Sequence, residues 1–178
     1  MAFLIKNSTS QRTAGSTGVG QATVGQWIHV VRPALAFPQT TNEQLFRVYG
    51  GKILVHLLMG TVTTVVAATD PQLSIDGYAL NAAGAVVGSV KAIAATADTK
   101  DAEVGGIWVV EGDGSAFILA TAGAAYIGSQ NGKWIMPQGE IVLVAAASQT
   151  GAAKWDLFYQ PLDEGAYAVA IPTATVKI

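Results

Sequence analysis

The chain has 178 residues, enough for one domain with a real buried core and an additional segment. Hydrophobic residues make up 51% of it and charged residues only 12%, with a net charge of −2 and no cysteine, where ordinary soluble domains carry roughly 25% charged residues. The absence of cysteine excludes disulfide staples and thiolate chemistry, and the small, scattered charge leaves no electrostatic footprint for nucleic acid.

Residues 1–25 form the first distinct segment. A short apolar tip, Phe3, Leu4 and Ile5, precedes "KNSTSQRTAGSTGVGQATVGQ", which is small and polar with no helical or strand period. Such a stretch cannot offset its ordering entropy by burial, so it is read as an extended arm ordered only by what it touches. Gly15 to Gly20 has the glycine spacing of a phosphate-binding loop, but Gln21 and Ala22 stand where Lys and Ser/Thr are required. The start of the chain carries no apolar core of a secretory signal.

From Trp27 onward the pattern is that of strands. "WIHVV" and "EQLFRVY" flank "RPALAFPQTTN", whose two prolines are expected to interrupt the ladder. The apolar run "ILVHLLMGTVTTVVAAT" from Ile53 to Thr69 falls short of the ~20 residues of a spanning helix. Its β-branched second half predicts two strands separated by a break at Gly60. "QLSID" and "AVVGSVKAIA" follow; Ala82 to Ala97 is Ala-rich enough for helix, but Gly84, Gly88 and the valines argue for strand. Next come "GIWVVE", "AFILAT" and "KWIM", the last preceded by Asn131-Gly132 as a two-residue hairpin signal. "MPQGE" places Pro137 and Gly139 as a type II turn would, and "EIVLVAAA" leads to "KWDLFYQPLDEGAYAVA".

In that last stretch, strand alternation puts Trp155, Leu157 and Tyr159 on one face. Lys154, Asp156, Phe158 and Gln160 share the other, wetter face, where an ion pair contributes little. Pro161 ends the ladder, Asp163 and Glu164 fall in a turn closed by Gly165 and are read as solvated, and Ala166 to Ile171 alternates again. Strand-length runs separated by turns predict an all-β fold: a β-sandwich or jelly-roll-like domain over residues 26–178, with the extended N-terminal arm over 1–25. A compact monomer of this size shows solvent on the order of 8,000 Å². Too few charges exist to coat that area, which predicts a homo-oligomer, a trimer by expectation, or a subunit of a larger assembly.

Catalytic and metal motifs are not assembled by spacing. His29 and His56 show no metal spacing and are read as core or interface histidines. No serine sits in a G-x-S-x-G elbow. Asp70, Asp76, Asp98, Asp101, Glu103, Glu111 and Asp113 are placed in loops, and "EGDG" is too sparse in oxygen ligands for calcium. Trp27, Trp108, Trp134 and Trp155 could stack on sugars, yet three of them lie in apolar runs and are read as core.

"WIMPQGEIVLVAAASQTGAAKWDLFYQPLDEGAYAVA", residues 134–170, resembles a widespread group of tailed-bacteriophage virion structural proteins. These carry a "P-x-G-x-I-x-L" run followed by "TG…KW-x-L-x-Y-x-PLD-[DE]-GA". "GGKILVHLLMGTVTT", residues 50–64, is similar to their "GG-[apolar strand]-G-x-VTT" segment. The resemblance implies a β-rich head-decoration (cement) protein on the outer capsid surface, made in the host bacterial cytoplasm and often oligomeric. Its implied partners are the major capsid protein and copies of itself, with no nucleic acid, membrane, cofactor or catalytic residue. The alternative reading is a carbohydrate- or receptor-binding module of a tail tip or head fibre. Phe3, Leu4 and Ile5 are the candidate capsid contacts.

Overall fold

The computed structural model describes residues 27–38, 42–66, 72–116, 118–120, 132–146, 150–172 and 176–177. The expected arm with Phe3, Leu4 and Ile5, the glycine-rich stretch within it, Asp70, and Asn131 of the expected hairpin lie outside the described residues. The strands are β1 (Ile28–Ala36), β2 (Asn42–Tyr49), β3 (Ile53–Thr64), β4 (Gln72–Ala79), β5 (Lys91–Asp98) and β6 (Ile107–Val110). They continue with β7 (Ile118–Ala120), β8 (Trp134–Met136), β9 (Gly139–Ala145), β10 (Ala152–Pro161), β11 (Tyr167–Ala170) and β12 (Val176–Lys177).

Four antiparallel pairings are nested: β1 with β10, β2 with β9, β3 with β6, and β4 with β5. These strands form one long hairpin, rolled so that β10 also meets β3 and β9 meets β4. Rolling sends successive strands to opposite layers, giving β1-β10-β3-β6 in one sheet and β2-β9-β4-β5 in the other. That interleaving is a jelly roll, an all-β sandwich of two antiparallel sheets. β7 extends the first sheet beyond β6, and β8 pairs with β3 beside it; β11 and β12 both pair with β2 in the second.

The inward faces follow from strand parity. Trp155, Leu157 and Tyr159 of β10 all point into the core, as do Ile53, Val55 and Leu58 of β3 and Ile141 and Leu143 of β9. Tyr159 also ties the layers together, its phenolic oxygen accepting the N–H of Ala168 at 3.0 Å. Burial pushes that phenol above its ordinary pKa.

Four sequence expectations are corrected. β3 does not break at Gly60, which lies opposite Trp155 of β10 on one side and Trp108 of β6 on the other. A Cβ there would stand 3.0 Å from the Trp155 ring, so the glycine admits indole rather than ending a strand. β1 does not end with "WIHVV" but runs on to Ala36 as an edge strand, and its ladder is interrupted at Pro33 as expected, the register against β10 shifting between Arg32 and Leu35. β5 starts at Lys91 rather than Ala85, since Gly84 and Gly88 take φ of 81° and 75° and turn the preceding loop. Pro137 and Gly139 make no type II turn, since neither Gln138 nor Gly139 takes a positive φ, and the chain crosses there from β8 in the first sheet to β9 in the second. Gly139 is required because a Cβ would stand 1.9 Å from the Tyr78 carbonyl oxygen.

The Trp155–Gly60 contact yields a test. Trp155→Ala should cost about 3–5 kcal/mol in denaturant unfolding, the range for deleting a large buried aromatic. Gly60→Ala should destabilise the parent chain but cost markedly less in the Trp155→Ala background. Equal costs in both backgrounds would show that the indole does not occupy the space above Gly60.

Candidate functional site

The interior is filled by side chains, so chemistry and recognition fall to the outward faces, and the two differ. On the second sheet, parity sends Asn42, Gln44 and Arg47 of β2 outward with Ser74, Asp76 and Tyr78 of β4. Arg47 Nη1 lies 3.7 Å from Glu140 Oε1 of β9, and its guanidinium sits 5.1 Å from the centre of the Tyr49 ring. This face is mainly polar, around Val142 and Val144 of β9, of which Val142 is buried among its neighbours.

The first sheet turns a different set outward. Directly opposed residues share a face, so β10 defines it row by row. Phe158 lies between His29 and Leu57, Asp156 between Val31 and Met59, and Gln160 opposite Leu54, which in turn meets Ile135. Met59 continues to Val109. The middle of this face is therefore apolar, with a few polar groups set into it.

Those polar groups satisfy one another. His29 stacks on Phe158 at 4.2 Å with an interplanar angle of 1° and donates from Nε2 to Asp156 Oδ1 at 2.8 Å. Lys154 Nζ stands 3.0 Å from Asp156 Oδ2 as an ion pair, without hydrogen-bond alignment. Asp156 is only 3% exposed. The expectation of a wet face is thus corrected: the His29 and Lys154 side chains close over the carboxylate. Trp27, 66% exposed, stacks at 4.0 Å on His56, whose Nε2 lies 3.4 Å from Gln160 Oε1. Neither histidine is a core residue; both belong to this outward face.

Two polar arrangements are structural. Arg32 and Glu43 point inward from β1 and β2 and form a buried ion pair, with Arg32 Nε also donating to the Ile171 carbonyl at 2.9 Å. Burial lowers the Arg32 pKa and raises that of Glu43, each partly offset by the partner's charge. Sequence reasoning passed over this pair, although parity was available as a signal: Arg32 falls in step with Ile28 and Val30, and Glu43 with Leu45. Asp163 is not merely solvated. Its Oδ2 accepts the Lys52 N–H at 2.8 Å, and its side chain fills the space beside Gly51. Glu164 is exposed.

The other acids stay apart. Asp76 lies in β4 and Asp98 ends β5, not in loops as expected, and Asp98 Oδ1 accepts the Lys100 N–H at 2.9 Å. Asp113 accepts from both the N–H and hydroxyl of Ser115, which hold its pKa below the usual carboxylate value. Among the described residues no group of three His, Cys, Asp or Glu side chains could hold a metal ion. No helix among them is long and apolar enough to cross a membrane, and the run from Ile53 is strand. Trp108 and Trp155 are each 1% exposed, while Trp134 packs partly buried against the core.

The fold defines a jelly-roll sandwich of two antiparallel sheets. No family model and no curated protein matches the sequence. Among solved structures, the chain is similar to one in the structure of infectious bursal disease virus, Gx strain, at 12% identity and a TM-score of 0.29. The likeness covers 88% of this chain and 34% of that one, so this chain spans about a third of the other's length.

Arg32→Met or Glu43→Leu alone should cost about 3–5 kcal/mol by leaving a buried charge unpaired. The double substitution should cost less than either single change, as read from urea midpoints.

Asp76 gives a pH test. Burial raises its folded-state pKa, so the native chain holds this proton to higher pH than the unfolded chain does. The stability it contributes is present below the unfolded value, about 3.9, and is lost as pH rises through the folded value. The melting temperature of Asp76→Asn should therefore improve relative to the parent on going from pH 3 to pH 7. A constant difference would refute the assignment.

Proposed function

We propose that the chain is a non-enzymatic structural protein of a tailed-phage virion, of the head-decoration type, seated on the outer capsid surface. The observation that carries this reading is that the two segments resembling such proteins, residues 50–64 and 134–170, meet as one structural unit. β3 pairs with both β8 and β10, Trp155 packs on Gly60, and Asp163 fills the space beside Gly51 and binds Lys52. The motif residues are accounted for as framework, which supports a scaffold role rather than reaction chemistry. The burial of Trp108 and Trp155 and the partial burial of Trp134 weigh against the sugar- or receptor-binding alternative, which needs a cluster of exposed indoles where Trp27 stands alone.

In this reading the protein, made in the host cytoplasm, bridges neighbouring copies of the major capsid protein. Many weak contacts act together, and the head gains resistance to the pressure of packaged DNA. Residues 1–25 serve as the attachment arm. Fully extended they reach on the order of 80 Å, enough to cross onto an adjacent subunit, where Phe3, Leu4 and Ile5 fill an apolar pocket.

The test is addition of purified protein to capsids that lack it, with occupancy read by cryo-electron microscopy. The full chain should decorate the outer surface. Removal of residues 2–25 should leave the melting temperature nearly unchanged and sharply reduce occupancy. Full occupancy by the shortened chain would assign attachment to the sandwich, and failure of the full chain to bind would overturn the reading.

A further inference from the structure

We infer that the outward face of the β1-β10-β3-β6 sheet is covered by the same face of a second copy of this chain. The two outward faces of the sandwich should both be polar if both met water. Instead Leu54, Leu57, Met59, Ile135 and Phe158 occupy one of them in adjoining rows, with Val109, itself buried, continuing the row of Met59. Ile135 is 58% exposed, and Trp27 stands clear at the margin. Contiguous apolar surface of this kind marks an interaction site.

Size, charge and edge chemistry together select the occupant. Four strands about 4.8 Å apart, over about eight residues of about 3.3 Å each, span on the order of 500 Å² in projection. The accessible area of a textured face exceeds its projection, and so approaches the ~800 Å² that each partner of a standard interface contributes. The charges within this face are Lys154 and Asp156, already paired with each other. A copy therefore meets no net like charge, as a self-complementary contact requires. Edge-to-edge addition is disfavoured at β1, the edge of this sheet, where Pro33 has no N–H to offer and the register against β10 shifts after Arg32. Face-to-face stacking, with sheets ~10 Å apart, is the packing left open. This covers the deficit of charge that the composition imposes, and it stands without the virion reading.

Sedimentation equilibrium on the full chain, across a dilution series and with no capsid present, tests the inference. The parent chain should sediment as a multiple of 18.3 kDa. Leu57→Glu and Ile135→Glu should each weaken association by about 100-fold, because either buries an unpaired charge in the contact. Ile135 is exposed, so its variant folds even if the Leu57 variant does not, and a cooperative melt confirms this. Val86→Glu, at an exposed position of the loop between β4 and β5 of the second sheet, should leave association unchanged. A parent that stays monomeric throughout overturns the inference, as does association that survives both sheet variants. If removing residues 2–25 converts a monomer into an oligomer sensitive to Ile135→Glu, the arm covers this face and the second copy does not.

Discussion

Gly60 sits in the middle of β3 between two tryptophans, Trp155 on one neighbouring strand and Trp108 on the other. A methyl group at this position would stand 3.0 Å from the Trp155 ring and press on it, so the missing Cβ lets that indole lie close over β3. The rings lie 6.1 Å apart, and Phe37 stacks on Trp108 at 5.6 Å. One missing side chain thus places the largest core residues of three segments together. β3 must pass straight through this point for β10 and β6 to pair on either side of it, so the order of the first sheet depends on it.

The interior and the exterior place polar groups by different rules. Inside, Arg32 and Glu43 link β1 to β2, strands that belong to opposite sheets. A buried pair of this sort adds little net stability, but each partner makes the other's loss expensive. It fixes how the edge strand of one sheet sits against the other. Outside, Asp156 is enclosed by His29 and Lys154. That local closure leaves the surrounding apolar rows electrically quiet, as suits a surface that is to be covered rather than hydrated.

Much of the architecture was legible in the sequence because strand parity is a strong signal when one face is buried. The inward set Trp155, Leu157 and Tyr159 follows from alternation, and the stop at Pro161 from the N–H that proline lacks. Glycine was harder to read. Gly60, Gly84 and Gly139 look alike in a sequence, yet one admits a ring, one turns the chain and one clears a carbonyl. Which of these applies depends on what comes near in space. The outward face was illegible for a related reason: Leu57, Met59, Val109 and Ile135 come from three strands and form a patch only once the register is known. Asp156 was misplaced because parity gives a direction but says nothing about what lies on top.

The nested pairing also orders events in time. His29 and Asp156, which meet across β1 and β10, are 127 residues apart. On the ribosome, β1 emerges long before the strand that completes it. The innermost turn of the nest, β4 with β5, is the first pairing that can close, and each outer layer waits for its return strand. Contacts this distant in sequence make folding slow, and the apolar edge of the nascent chain stays open through most of translation. A truncated product lacking β10 would keep Gly60 and Trp108 but lose the indole that lies between the sheets. Quality control of such a chain is set by its last quarter, where the closing strand is encoded.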